Sequence, residues 1–390
     1  MKAVTLKMLA FMTSLGLIID PLFAASYNLK PIDLPVDDNQ YVTVYDVSDN
    51  NDLIGAYEVC RDENNCVLHG FLYDSGGKMI ELKPLNGHNI SDPFSISPSG
   101  NNIVGKSYVE NFNNSQAILW DLKGNVKKVL ALPEGRNYSG AHAVNDEGYA
   151  VGYANTGEDD IHATLWDTKK NTVIKELEIA NNNRFMGIIP NGAVGVGYRQ
   201  LEEGSESYAA IVWYPGQPLR DFERLPDGHF VNAYAINDAG IAVGGAEDSE
   251  FIPHAVFWNK KDVKLNNMGA LEGDIGAIAA DINNAGQIVG MSGVVFAPRD
   301  KGKRKHEERL FTKKQMQAYY SLQKDTTRDL WRGFIYENGK MTDLNELVDD
   351  MPEDVRIAAG NKITHRGTIL AVAHNIKTGE LFDVLLIPNK

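Results

Sequence analysis

The sequence has few cysteines and no long apolar run. Its 390 residues include only two cysteines, Cys60 and Cys66. Their spacing does not match a redox Cys-x-x-Cys motif, and there is no second pair to complete a zinc site. The apolar run from Met8 to Ile19 is too short to span a bilayer comfortably. We therefore expect no metal, no other cofactor and no membrane span in the mature chain.

An internal repeat dominates the rest of the chain. Its first half is an apolar residue, Asn or a substitute, a turn with Gly, and a small apolar run that ends in Gly. Ala235–Gly244 is the clearest copy. The other copies are Val47–Gly55, Ile96–Gly105, Val144–Gly152, Ile189–Gly197, Ile282–Gly290 and a degenerate Ile363–Ala371. Seven copies of one unit indicate a repeat architecture.

The second half of the repeat is a short run that mostly ends in an aromatic residue, as in Ala255–Trp258 and Ala163–Trp166. Successive ends lie about 46 residues apart, with one wider gap, which is a spacing typical of propeller blades. Asn-Asp-x-Gly is turn chemistry, because Asn and Asp bond their own backbone and Gly accepts a positive φ. We interpret these Asn and Asp residues as structural, and the aromatic ends as packing between sheets.

The predicted fold is all-β, a seven-bladed β-propeller of four-stranded antiparallel blades that forms one domain over residues 27–390. The chain begins with an unpaired Leu-rich strand, Leu29–Leu34, and ends on a blade that lacks such a strand. The N-terminal strand should therefore complete the last blade and close the ring. Residues 293–331 interrupt blade six, and their spacing of apolar residues predicts a helical insertion.

Residues 1–25 have the features of a secretory signal peptide. Lys2 and Lys7 precede the apolar run, and small residues follow it at Ala24–Ser26. An uncleaved anchor is the alternative. Export also favours a structural disulfide between Cys60 and Cys66, in the loop between the second and third strands of blade one, over free thiols. We expect a periplasmic or extracellular protein.

The recurring unit resembles the HAF repeat family of exported bacterial proteins. The residues that carry the resemblance are His254-Ala-Val-Phe-Trp, His162-Ala-Thr-Leu-Trp and His69-Gly-Phe-Leu-Tyr, each after the Gly-containing half. The literal His-Ala-Phe triplet is degraded in every copy, and four copies lack the His. The resemblance implies an exported repeat protein and carries no activity to this chain. We interpret the three His residues as structural.

The predicted strand order places the crossings between blades and the loops between second and third strands on one face. Long loops on a rigid scaffold favour binding there. A Leu-x-Gly pattern recurs in the crossings, and polar or aromatic residues after each Gly should approach the channel mouth. These ligand-binding candidates, which could equally be ordinary exposed turn residues, are His88, Arg136, Tyr138, His229, Phe230 and Asp274.

Charge is segregated on the same face. Residues 298–332 contain eleven Lys or Arg against five Asp or Glu, so the rest of a chain of formal charge −14 is strongly acidic. The basic arm could close over the acidic loops, grip an acidic partner, or be a solvated helix. The partner-binding candidates are Arg304, Lys305, Lys313 and Lys314 on the arm, and Glu158, Asp159, Glu202, Glu203, Glu247 and Asp248 in the loops. Nucleic acid is not an expected partner of an acidic exported protein.

Two functions from different classes fit the sequence. The first is a binding or scaffold propeller that recognises a protein or glycan through this face. The second is a carbohydrate-active hydrolase or lyase with its acid and base at the channel mouth. Sialidase-type Asp boxes and the docking repeats of quinone dehydrogenases are both missing. The sequence therefore favours binding over catalysis.

Overall fold

The fold is seen in a computed structural model of the chain. It describes residues 26–389 except 37–39, 61–65, 110–113, 158–159, 180–181, 203–204, 206, 261 and 294–330. The predicted signal peptide lies outside the described residues, as does nearly all of the predicted helical insertion. Within the described part of the chain there is no α-helix, and the single 3-10 turn is Leu344–Glu346. No helix in those residues is long and apolar enough to cross a membrane.

The first strand in the described part of the chain is β1 (Tyr27–Pro31), and the blades follow in order. Blade 1 consists of β2 (Val42–Val47), β3 (Leu53–Cys60), β4 (Cys66–Tyr73) and β5 (Met79–Leu82). Blade 2 consists of β6 (Ile90–Ile96), β7 (Ile103–Tyr108), β8 (Gln116–Trp120) and β9 (Val126–Val129). Blade 3 consists of β10 (Tyr138–Val144), β11 (Tyr149–Asn155), β12 (Ile161–Asp167) and β13 (Thr172–Glu176).

The later blades repeat this pattern. Blade 4 consists of β14 (Asn183–Ile188), β15 (Gly195–Gln200), β16 (Tyr208–Trp213) and β17 (Arg220–Asp221). Blade 5 consists of β18 (Val231–Ile236), β19 (Ile241–Glu247), β20 (Pro253–Asn259) and β21 (Leu265–Gly269). Blade 6 consists of β22 (Gly276–Ile282), β23 (Ile288–Gly293), β24 (Trp331–Glu337) and β25 (Lys340–Asp343). Blade 7 contains β26 (Val348–Asp349), β27 (Val355–Ile363), β28 (Ile369–Asn375) and β29 (Leu381–Pro388).

The N-terminal strand closes the ring, as predicted. β1 pairs antiparallel with β29, with Leu29 opposite Leu386, and it pairs in parallel with the short β26. The seventh sheet therefore has five strands in the order β26-β1-β29-β28-β27, while the other six have four. The predicted all-β, seven-bladed, four-stranded antiparallel propeller is confirmed.

The repeated Asn residues join one blade to the next. Asn237 Oδ1 accepts the N–H of Ile241 in its own turn, and its Nδ2 donates to Asn283 O of the following blade. Asn283 in turn donates from Nδ2 to Thr364 O of blade 7. A buried amide that has partners on two blades fixes their relative position, because a buried polar group without a partner is costly. The structural interpretation of these residues is consistent with these bonds.

The aromatic ends of the third strands also bridge blades. Trp166 is fully buried against Val104 and Leu119 of the preceding blade, and its Nε1 donates to Ala131 O at 2.7 Å. Trp120 and Trp258 make the corresponding bonds to Lys83 O and Glu223 O. The apolar core therefore lies in layers between neighbouring sheets, as packed repeats require.

The disulfide is present where it was predicted. Cys60 ends β3 and Cys66 begins β4, and the two residues are opposite each other in the ladder. The bond therefore links the second and third strands of blade 1 at their loop end.

Candidate functional site: the channel throat and its mouth

A β-bulge in the innermost strand of every blade shapes the central channel. The register shifts by one residue in each first strand, for example between Ala141 and Ala143 in blade 3 and between Ala279 and Asp281 in blade 6. A bulge re-aims the side chains around it. Glycines on the second strand accept the approach of the bulged backbone, since a Cβ at Gly244 would overlap Asn232 O.

The residue that follows the bulge lines a cavity in all seven blades. We call this cavity the throat, and its volume is about 120 Å³. In blade order the seven residues are Asp46, Ser95, Ala143, Gly187, Ala235, Asp281 and Lys362. Six of these residues form two groups, and Ser95 of blade 2 belongs to neither. The charged arc is Asp281, Lys362 and Asp46 of blades 6, 7 and 1, and the small arc is Ala143, Gly187 and Ala235 of blades 3, 4 and 5.

Each carboxylate of the charged arc bridges two blades. Asp46 Oδ1 accepts the N–H of Val47 at 2.9 Å, and its Oδ2 accepts the N–H of Ile96 in blade 2 at 3.0 Å. Asp281 Oδ2 accepts the N–H of Ile363 in blade 7 at 2.9 Å. Burial raises the pKa of both carboxyls, although Lys362 and these N–H groups act in the opposite direction.

Lys362 is the cation between the two carboxylates. Burial acts to lower its pKa, but the charges of Asp281 and Asp46 outweigh that effect, so the pKa of the ammonium is raised and the group stays protonated. In the described part of the chain, no hydrogen bond and no ion pair within 4 Å involves this ammonium. Lys362 therefore presents three N–H donors to the throat.

The throat opens on the face that carries the Asn-Asp-x-Gly turns, which we call the turn face. Its mouth is a second cavity of about 410 Å³ that shares Asp49, Pro98, Pro190 and His365 with the throat. His365 donates its backbone N–H to Asp49 Oδ1 at 2.8 Å, and its Nδ1 lies 3.2 Å from Asp49 Oδ2. The exposed Arg366 also lines the mouth.

The Asp49–His365 pair crosses the junction between blades 7 and 1. The hydrogen bond that His365 donates to the Asp49 carboxylate raises the pKa of His365, and burial only partly offsets this. Burial alone would raise the pKa of Asp49, but the hydrogen bonds and charge of His365 lower it overall. Both shifts favour the charged pair.

The structure places the predicted ligand-binding residues on the opposite face, at the crossings between blades. In blades 2 and 3 these candidates contact their own blades. His88 Nδ1 lies 3.1 Å from Ser107 Oγ. Arg136 donates from Nε to Glu176 and from Nη1 to Asp160, at 2.5 Å each. Tyr138 begins β10 and is only partly exposed.

The remaining candidates on this face pack locally as well. His229 stacks on Phe251 with ring centroids 4.4 Å apart, and Phe230 packs against Tyr198 and Tyr208. Asp274 accepts from Ser292 Oγ at 2.7 Å and pairs with Arg332 at 3.0 Å. Only candidates that are close in sequence are brought together, and no described contact joins candidates of different blades. Their role in binding stays a prediction.

Part of the predicted partner-binding set can be placed. Arg304, Lys305, Lys313, Lys314, Glu158, Asp159 and Glu203 lie outside the described residues. Glu202 lies in the loop between the second and third strands of blade 4, and Glu247 is 8% exposed at the end of β19. Asp248 Oδ1 accepts the N–H of Ile252 in its own turn, and Asp248 Oδ2 lies 2.9 Å from His254 Nε2. Contact of these residues with a partner also stays a prediction.

One group of three residues in the described part of the chain has the spacing of metal ligands, and it consists of Glu58, Cys60 and Cys66. Both cysteines are joined in the disulfide. A disulfide sulfur is not a thiolate, so this group lacks the donors that a metal needs.

Sequence reasoning missed Asp46, Asp281 and Lys362. Each lies two residues before the Asn position of its repeat, at a place where the other copies have small residues. Aligning the seven copies would have shown charge concentrated at that one position. The bulge that points this residue into the channel leaves no signal in the sequence, because the bulge depends on pairing with the next strand.

Comparisons with known proteins support the fold and no more. No protein-family model matches the chain, and no curated protein matches it. The propeller domain of the Trilobed protease from Pyrococcus furiosus matches with a TM-score of 0.53 and 11% identity, over 90% of this chain and 94% of that one. That domain is described as having an open velcro topology, whereas here β1 pairs with β29.

Two longer proteins are similar in the same way. An acylaminoacyl peptidase from Pyrococcus horikoshii matches with a TM-score of 0.52 and 13% identity, over 90% of this chain and 52% of that one. Prolyl oligopeptidase B from Galerina marginata matches with a TM-score of 0.51 and 10% identity, over 86% of this chain and 47% of that one. This chain therefore spans about half the length of either peptidase. At such identities the likeness shows a propeller scaffold only.

Proposed function

We propose that the protein is an exported binding propeller that recognises a glycan or protein ligand at the mouth of its channel on the turn face. The observation that carries this proposal is the connected pair of cavities, with volumes of about 410 and 120 Å³, lined by polar and charged side chains of several blades. A concave site with a few convergent polar groups is the usual form of a ligand pocket. Rigid blades hold these groups in place without the ligand.

Export and relationship to the HAF repeat family are part of the proposal. The Cys60–Cys66 disulfide supports an oxidising compartment, because such bonds are rare in the reducing cytosol. The lysines and apolar run of residues 1–25 support secretion. His162 and His254, which carry the HAF resemblance, contact acidic residues of their own blades, and this supports a structural role for that motif.

A binding experiment with matched variants on the two faces tests the site. The purified protein would be screened on an array of neutral and acidic glycans and on immobilised peptides. We expect the turn-face variant Asn50→Ala/Arg366→Ala to weaken binding at least tenfold, since both side chains line the mouth. The crossing-face control is His229→Ala, which we expect to bind like the wild type. Loss of binding in the control alone would move the site to the predicted crossing face.

The second candidate is a hydrolase or lyase that acts at the throat. The observation that favours it is the pair of buried carboxyls with raised pKa values beside Lys362, because perturbed groups in a cleft mark active sites. Against it, both carboxyls already accept backbone N–H groups. We expect no turnover of nitrophenyl glycosides or polyuronates. Turnover that is lost in Asp281→Asn, with the fold intact, would establish the enzyme instead.

A further inference from the structure

The innermost strand of every blade is a sheet edge, and half of its N–H groups face the channel. Successive N–H groups of a strand point to opposite sides. In blade 3, Asn145 N donates to Tyr149 O of the adjoining strand, so the N–H of Val144 points the other way, into the throat. Ile189 N and Asn237 N make the same bond in blades 4 and 5. The N–H groups of Ile188 and Ile236 therefore also face the throat.

The protein itself shows what such N–H groups bind. Four of the seven equivalent groups are accepted by the two aspartates of the charged arc. Asp46 takes those of Val47 and Ile96, and Asp281 takes those of Ile282 and Ile363. One carboxylate thus spans the N–H groups of two adjacent blades. Among the described residues, no side chain accepts from the three groups of the small arc.

We propose that the throat binds a carboxylate group of the ligand, which accepts the N–H groups of Val144, Ile188 and Ile236 opposite the Lys362 ammonium. The site would repeat, with a ligand carboxylate, the bridge that Asp46 makes with its own. The small side chains of Ala143, Gly187 and Ala235 leave room for it. A cavity of about 120 Å³ has room for several water molecules, and therefore for a carboxylate group.

The nearby aspartates do not exclude an anion. Each shares its charge with two N–H donors, and Lys362 lies between them. Burial also raises the pKa of both carboxyls, so proton uptake can accompany binding. The charged groups that act on Asp46 are Lys362 and Asp281, and those that act on Asp281 are Lys362 and His365. Affinity for a carboxylate should therefore increase as the pH falls through the raised pKa values of these two carboxyls.

This inference rests on the proposed function, because it names the chemical group of the ligand that the throat binds. The bulk of the ligand would lie in the mouth, near Arg366 and His365. The carboxylate could belong to a uronic acid or to a peptide C-terminus. Galacturonate against galactose, and a peptide with a free C-terminus against its amide, separate these two sources.

The decisive variant gives the small arc its own carboxylate. In Ala143→Asp the new side chain should accept the N–H groups of Val144 and Ile188, as Asp46 accepts those of Val47 and Ile96. The control is Ala143→Ser, which matches the Ser95 that blade 2 has at this position. Acetate at constant ionic strength is titrated into each protein by calorimetry. We expect binding to wild type and to Ala143→Ser, and at least a tenfold loss in Ala143→Asp.

Amide chemical shifts provide a second, direct readout that does not depend on the variant folding. In the wild type, acetate should shift the amide resonances of Val144, Ile188 and Ile236 most. Shifts centred elsewhere, an absence of binding, or equal binding to Ala143→Asp would each overturn the inference. If acetate binds the throat but no glycan or peptide binds the protein, only the proposed function fails. If an array ligand binds Ala143→Asp unchanged, only this inference fails.

Discussion

The charged and small arcs of the throat have the same backbone but different side chains. Both consist of innermost strands that carry a bulge at the same repeat position. In the charged arc the next residue is Asp281, Lys362 or Asp46, and its carboxylates satisfy the N–H groups that face the channel. In the small arc that residue is Ala or Gly, and the same N–H groups face the cavity. The repeat thus determines where the donors are, and single side chains decide which remain available.

We expect the largest loss of stability from glycine variants beside the bulges, and these variants test whether the two arcs share one backbone conformation. A Cβ at Gly244 would overlap Asn232 O next to the small arc, and a Cβ at Gly290 would overlap Ile278 O next to the charged arc. Because a backbone oxygen cannot move aside without breaking the bulge, Gly244→Ala and Gly290→Ala should each lower the free energy of unfolding by about 3 kcal/mol. Urea denaturation measures both.

Gly157→Ala is the control, since nothing lies within 4 Å of a Cβ at that position. It should change the free energy of unfolding by less than about 0.5 kcal/mol. A glycine variant of one arc that behaves like this control, while the other is strongly destabilised, would show that the bulges of the two arcs differ.

Replacing Asp46 with alanine makes one position of the charged arc resemble the small arc. Asp46→Ala removes the acceptor of the Val47 and Ile96 N–H groups, so we expect a loss of about 2 kcal/mol in the free energy of unfolding. Ser95→Ala, at the same position of blade 2, should cost clearly less. Equal losses would mean that the N–H groups facing the channel do not depend on a carboxylate.

The smallest expected effect concerns the mouth next to the charged arc, where Asp49 pairs with His365. The His365 pKa is raised from 6.5 and the Asp49 pKa is lowered from 3.8. The pair therefore contributes most between about pH 4 and 6.5, and the contribution is lost as the pH rises through the folded pKa of His365. Asp49→Asn should cost up to about 1 kcal/mol at pH 5.5, and less at pH 8.5.

Asp146 is the matched control for this pH dependence. It occupies the equivalent turn position in blade 3 and accepts from Ser99, and no histidine in the described part of the chain is its partner. The cost of Asp146→Asn, measured by the same urea denaturation, should be the same at both pH values. A cost of Asp49→Asn that grows towards pH 8.5 would contradict the assignment of the shift to the His365 pair.

Several features were predictable because they depend on local chemistry or on the period of the repeat. Turns closed by Gly and Asn, the packing of Trp166 between sheets, the pairing of Leu29 with the last blade and the Cys60–Cys66 disulfide all follow from patterns along the chain. The candidate site was not predictable in this way. Arg136 and Asp274 were predicted to bind a ligand at the crossings, yet in the structure both make contacts within their own blades.

The sequence by itself determined the number of blades, the order of their strands and the strand that closes the ring, because each depends on a repeat that can be read in one dimension. Only the tertiary structure decided that Asp46, Asp281 and Lys362 meet in one throat. The physical reason is that Asp46 belongs to blade 1, which becomes a neighbour of blade 7 only when the ring closes. The bulge that points them inward likewise exists only when two strands pair.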